Sequence, residues 1–180
     1  MNLPSLVPQW LLLTLLALLA LAAIEDAVRL RISNLLSLAV LLLGFIAIAV
    51  AGPQASLWEN AAVFAGTLVV GTFLFARGTL GGGDVKLLAA TSLWFDFGGA
   101  LRLLICVALA GGLLALLVLA LRLIGWSDRA REKILILRRK GGIPYGVAIA
   151  AGAAAAVLFL QPDEPRQQPT SLPSLPALPR

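Results

Sequence analysis

The segment Leu80-Gly81-Gly82-Gly83-Asp84-Val85-Lys86-Leu87-Leu88 sets three glycines directly before a carboxylate and delivers that carboxylate to the mouth of an apolar helix. Glycine lets the backbone turn sharply and come close to another segment, which leaves the acid open on one side. An ionisable residue at membrane depth costs a few kcal/mol, so in an apolar chain it marks a functional site. Asp84 is therefore read as one half of a carboxylate pair, with Gly81, Gly82, Gly83 and Lys86 as the loop around it. The second carboxylate must then come from elsewhere in the chain.

Hydrophobic residues make up 60% of the 180 residues and charged residues 13%, far from the proportions of an ordinary soluble domain. The chain is read as an all-α, polytopic membrane helix bundle with about six transmembrane helices, since a span and its loop take roughly 25–30 residues. There is no histidine, and Cys106 is the only cysteine. That excludes a disulfide within the chain, the usual His/Cys metal sites, and Ser-His or Cys-His nucleophile pairs. No metal or cofactor is expected, and the chemistry falls to carboxylates, lysines and hydroxyls. A net charge of +5 would suggest nucleic acid in a soluble protein. Here the basic residues sit between apolar runs, as topology determinants do, so the implied partner is the lipid bilayer and not nucleic acid.

Met1 to Gln9 contains no Lys or Arg, so the first apolar run lacks the basic region of a cleaved signal peptide and is read as a retained span. Trp10 to Ile24 is nearly all Leu and Ala and leads into Glu25-Asp26. A helix continuing through Asp26 puts that acid at the membrane edge, which makes it the second candidate. Ser33 and Asn34 are helix starters, because their side chains can accept from open N–H groups of the next turn. Helices follow over Leu35–Ala51, Trp58–Ala76 and, from Asp84 to about Phe95, a run too short to cross hydrocarbon comfortably. Asp96-Phe97-Gly98-Gly99 is read as a break before a helix over Leu101–Ile124, whose Gly111, Gly112 and Ala115 offer a small-residue packing face. An amphipathic surface segment is expected from Arg129 to Lys140. Pro144, Tyr145 and Gly146 then lead into a last helix, Val147–Leu160, with Ala148, Gly152 and Ala156 at four-residue spacing. Residues 161–180 hold six prolines and are read as a disordered tail outside a membrane domain covering 1–160.

Arg29 and Arg31, Arg77, and the seven basic residues from Arg122 to Lys140 fall in alternate loops. The excess of Lys and Arg on the cytoplasmic side then places both termini outside and brings Asp26 and Asp84 out on the cytoplasmic side together. Two carboxylates held within a few ångströms cannot easily both ionise, so the pair keeps a proton near neutral pH. That is what aspartyl proteolysis requires: one member takes a proton from water while the protonated one polarises the scissile carbonyl.

Gly81-Gly82-Gly83-Asp84-Val85-Lys86-Leu87 resembles the GxGD motif of membrane aspartyl proteases in its prepilin-peptidase form. Glu25-Asp26, followed by basic residues and Ile32-Ser33-Asn34, looks like the first-aspartate region of that family, and Gly142-Ile143-Pro144-Tyr145-Gly146 like its last-helix entry. The resemblance, over about residues 10 to 160, implies that Asp26 and Asp84 are the catalytic pair. It implies a type IV prepilin as substrate, recognised through its leader and hydrophobic N-terminal helix and cut behind the leader at the cytoplasmic face of a bacterial inner membrane. Asp26 to Asn34 leaves no room for the cysteine-rich insertion of larger members, so the chain is similar to the short form associated with Flp/Tad pili, and methyl transfer is not implied.

Simpler readings stand beside this one. A single Asp at a helix start is ordinarily an N-cap. What sets Asp84 apart is its conjunction with Asp26, the glycine run and the Gly-Ile-Pro-Tyr-Gly segment. Glu25 projects about 100° from Asp26 on a helix, so both cannot face Asp84. Asp96 lies roughly 18 Å along a helix from Asp84 and is read as an outer loop acid. Lys86 is read as an interfacial anchor. The other classes are a small proton-coupled transporter, whose acids would sit nearer mid-membrane, a Ser-Lys hydrolase using Lys86 with Ser33 or Ser92, and a non-catalytic pilus-assembly subunit.

Overall fold

The computed structural model of the chain describes residues 1–52, 56–123 and 142–159. The expected surface segment over 129–140 and the tail over 161–180 lie outside them. After a 3-10 turn at Leu3–Ser5 come α1 (Gln9–Arg29), α2 (Asn34–Ala51), α3 (Leu57–Ala76), α4 (Gly82–Ser92), α5 (Phe97–Leu123) and α6 (Tyr145–Phe159). Among the described residues every element is helical, and α1, α2, α3 and α5 are long and apolar enough to cross a membrane. α6 is apolar but shorter. The chain is a polytopic helical membrane bundle, with large apolar side chains such as Leu109, Leu113 and Leu116 exposed along α5 where lipid would lie.

The short helix is the centre. α4 has 11 residues, a length of about 16 Å at 1.5 Å per residue, about half the thickness of the hydrocarbon core. It buries Val85, Leu87, Ala89, Ala90, Thr91 and Ser92; burial over most of its circumference, with Lys86 left exposed, explains why its sequence shows no amphipathic stripe. α2, α3 and α6 surround it. Glycines set the close approaches: a Cβ on Gly71 of α3 would lie 2.7 Å from Val85 Cγ1, and one on Gly44 of α2 would lie 3.0 Å from Leu93 Cδ2.

α4 stops at Ser92, earlier than the expected Phe95. The fully buried Asn60 of α3 donates through Nδ2 to the carbonyls of Leu93 (3.0 Å) and Met1 (2.9 Å), fixing the chain after the last turn. Trp94 and Phe95 are wholly buried beside it. α5 likewise begins at Phe97 and not Leu101, because Asp96 Oδ1 accepts from Gly99 N–H (2.8 Å) and caps the helix. Asp96 Oδ2 also lies 3.5 Å from the Met1 ammonium.

α1 shows one buried seam, Leu11, Leu15, Leu19, Ala22 and Asp26, at three- and four-residue spacing. α6 lies on α1 and α5. At its small-residue face, a Cβ on Gly152 would meet the Val107 backbone at 2.6 Å and one on Gly111 would lie 3.6 Å from Ala148 Cβ. Gly112 meets nothing within 4 Å, so only part of the expected α5 stripe is used in this contact. The C-terminal end of α1 and the N-terminal ends of α4 and α6 converge, and there the two aspartates lie.

Candidate active site

Asp26 closes the buried seam of α1 and is 4% exposed; Asp84, in the first turn of α4, is 9% exposed. They come from positions 58 apart in sequence, yet both line one cavity of about 190 Å³. Leu30, Arg31, Ile32, Gly81, Gly82 and Gly83 complete it.

Backbone geometry aims Asp26 at this space. Leu30 caps α1 in the left-handed region (φ 52°), with its N–H donating to the Asp26 carbonyl at 2.8 Å. A non-glycine residue held there costs of order 1 kcal/mol, and the conformation turns the chain back at once after the acid. From the first turn of α6, Gly146 N–H donates to Asp26 Oδ2 at 2.7 Å. A Cβ on Gly146 would stand 3.0 Å from that oxygen and 2.8 Å from Ile32 Cδ1, so the close approach needs glycine. Ile32 also packs on Gly83, where a Cβ would meet its Cβ and its carbonyl oxygen at 3.1 Å. The α1–α2 loop is thereby held against both α4 and α6.

Glu25 takes a different role. Its Oε2 accepts from Ser33 N–H at 3.0 Å and its Oε1 from Arg29 Nη1 at 3.4 Å. Ser33 in turn caps α2, its Oγ accepting from Leu36 N–H. Glu25 is therefore committed to the loop and does not line the cavity.

Asp84 is less well satisfied. Its Oδ2 sits 2.6 Å from where a Gly81 Cβ would be, which explains a glycine three residues before it. Its Oδ1 is buried with no hydrogen-bond partner, a state that costs about 1–3 kcal/mol for a polar group and more for a charged one. Burial, and second the negative charge of Asp26, push the Asp84 carboxyl up to about 6, with the Gly81 backbone partly offsetting them. A proton shared by the pair is thus better placed on Asp84, while Asp26 already accepts a backbone donor. Such a pair can activate a water with its charged member and polarise a carbonyl with its protonated one.

The remaining expected site residues stand further out. Lys86 is exposed and donates from Nζ to Asn34 Oδ1 at 2.9 Å, tying α4 to the start of α2. Pro144 is buried, with its carbonyl accepting from Val147 N–H at 3.2 Å. Tyr145 opens α6 and lines a larger cavity of about 540 Å³ with residues of α3, α4 and α5. That space and an adjoining one of about 430 Å³ contain no carboxylate, so size alone would point away from the chemistry. Sequence reasoning did not single out Leu30 and named Ile32 only within the Ile32-Ser33-Asn34 motif; the signal for both is the short run between an acid and a helix cap.

A polytopic membrane bundle with two buried carboxylates in one small cavity is the class that fold and site define. Residues 13–120 match the family model described as the type IV leader peptidase family, and the chain belongs to that family. The matched stretch contains both aspartates and the glycine run and stops before α6. No curated protein matches the chain, and no solved structure does.

Proposed function

We propose that the protein is a membrane aspartyl endopeptidase that removes the leader of Flp-type type IV prepilins at the cytoplasmic face of the inner membrane. The observation that carries this reading is the shared cavity: Asp26 from the end of α1 and Asp84 from the start of α4 face one space of about 190 Å³. In the proposed reaction the charged member of the pair, Asp26, takes a proton from water as it attacks the scissile carbonyl. Asp84 donates its proton to the carbonyl oxygen; as the tetrahedral species collapses, Asp26 passes the proton it took from water to the leaving nitrogen and Asp84 takes back the hydroxyl proton as the C=O re-forms. The water is consumed, the peptide bond breaks, and no covalent enzyme intermediate forms. Three features support the assignment: the glycines that open the α4 entrance, the Gly146 contact that orients Asp26, and membership of the leader peptidase family.

The cytoplasmic placement rests on the distribution of basic residues, and the Flp assignment on the short connection between Asp26 and Asn34. Co-expression with a Flp-type prepilin tests the reading: the pilin band should shift to its mature size with the parent protein and stay at precursor size without it. An unshifted band with the parent inserted at normal abundance overturns it.

A further inference from the structure

A cleavage site at the end of a membrane helix needs somewhere for that helix to lie. Two apolar cavities follow one another along α3, of about 310 Å³ and about 280 Å³. Leu68 and Lys86 line both. Phe64 and Leu68 wall the first, Leu68, Thr72 and Phe75 the second. These four residues recur at three- and four-residue spacing, so one face of α3 forms a continuous wall of about 16 Å. α2 supplies the other wall through Leu38 and Leu41, and the small side chains of Ala89 and Ala90 in α4 form the floor. The groove ends at Gly82, which also lines the cavity of the aspartates.

Two polar features separate this groove from ordinary lipid-facing surface. Ser37 lines it and is 5% exposed, and its Oγ is buried without a hydrogen-bond partner. An acyl chain cannot satisfy that hydroxyl, whereas a peptide helix carries carbonyls and side chains that can. At the end nearest the aspartates stands Lys86, bonded to the neutral Asn34 amide and paired with no carboxylate among the described residues. A cation beside an apolar groove complements an apolar helix with an acidic side chain near the end to be cut.

Resting on the peptidase reading, we infer that the α2–α3 groove over Ala89 and Ala90 docks the hydrophobic helix of the substrate, with Lys86 pairing an acidic side chain in its first turns. Lys86 is then a specificity-determining residue: it fixes how far the helix enters and so which peptide bond reaches Asp26 and Asp84. Small floor residues let the helix backbone approach closely, as in membrane helix pairs generally.

Site-specific photo-crosslinking on the full chain in membranes tests this. Benzoylphenylalanine is placed at position 68 in the groove, at 70 on the other side of α3, or at 113 on the lipid-facing side of α5, each with Asp84→Asn and a co-expressed Flp-type prepilin. The parent is assayed for cleavage in parallel. The expected result is a prepilin adduct from position 68 well above those from 70 and 113. Cleavage by the parent with the adduct strongest from 70, or equal at all three, overturns the groove and leaves the peptidase reading standing. No cleavage by the parent defeats the peptidase reading and the groove with it. Lys86→Glu should lower cleavage about tenfold, the scale of one lost charge contact, and Lys in place of the right acid in the first two turns of the substrate helix should restore most of it. Failure of every such swap to restore cleavage excludes Lys86 from recognition.

Discussion

Gly146 and Asp26 are 120 residues apart and joined by a 2.7 Å hydrogen bond from backbone N–H to Oδ2. The bond couples the last helix to the carboxylate at the end of the first. A methyl at 146 would crowd both Asp26 Oδ2 and Ile32, so Gly146→Ala should push the carboxylate out of line. Misplacement by about an ångström costs on the order of 100-fold in rate. Gly142→Ala is the control, since a Cβ there comes no nearer than 4.0 Å to Leu30, and it should retain near-parent cleavage. Equal activity of the two variants would show that the Gly146 contact does not position the acid.

Glu25 separates structural from chemical carboxylates. Its Oε2 holds the Ser33 N–H, a contact that a Gln side chain can keep and Ala cannot. Glu25→Gln should therefore retain substantial prepilin cleavage, while Glu25→Ala should lose several-fold and be less stable by about 1.5–3 kcal/mol for the lost hydrogen bond to a charged group. Complete loss of cleavage in Glu25→Gln at normal abundance would place Glu25 in the chemistry.

Proton binding by Asp84 has a definite sign in stability. The folded protein binds a proton near pH 6 that the unfolded chain releases near 3.8, so this group lowers stability as pH rises from about 4 through 6. Asp84→Asn removes the dependence. In detergent the variant should gain on the parent as pH is raised from 4 to 8. A difference in melting that is the same at pH 4 and pH 8 contradicts the burial argument.

Orientation can be read directly from reporter fusions. Fusions after Ala51 and after Leu160 should report the outer compartment, and one after Lys140 the cytoplasm. A cytoplasmic report after Leu160 would put the aspartates on the wrong face for a leader at the cytoplasmic surface.

Much of the bundle was legible because membrane helices announce themselves by apolar length, and α1 to α3 begin and end within a few residues of expectation. Asp26 was also legible: it continues the Leu11–Leu15–Leu19–Ala22 seam, so its side chain had to face protein. The end of α4 and the start of α5 were not. Asn60 captures the Leu93 carbonyl across 33 residues, and Gly99 fits against Asn2 and Phe95 while its N–H is held by Asp96. Local propensity reads Gly98-Gly99 as a break, and only tertiary packing overrides it. Lys86, read from the sequence as an interfacial anchor, reaches Asn34, a contact set by where α2 begins.

The most direct measurement of the central claim is leader removal from a Flp-type prepilin in membranes by Asp26→Asn, Asp84→Asn and the double variant, at matched abundance. Each single change keeps size and hydrogen-bonding capacity but removes one carboxylate, so each should lose cleavage by at least about 1000-fold, and the double variant should be hardly worse because coupled catalytic groups are non-additive. Asp96→Asn, at the far end of α4, should cleave like the parent. Robust cleavage by either Asp26→Asn or Asp84→Asn would contradict the two-aspartate mechanism.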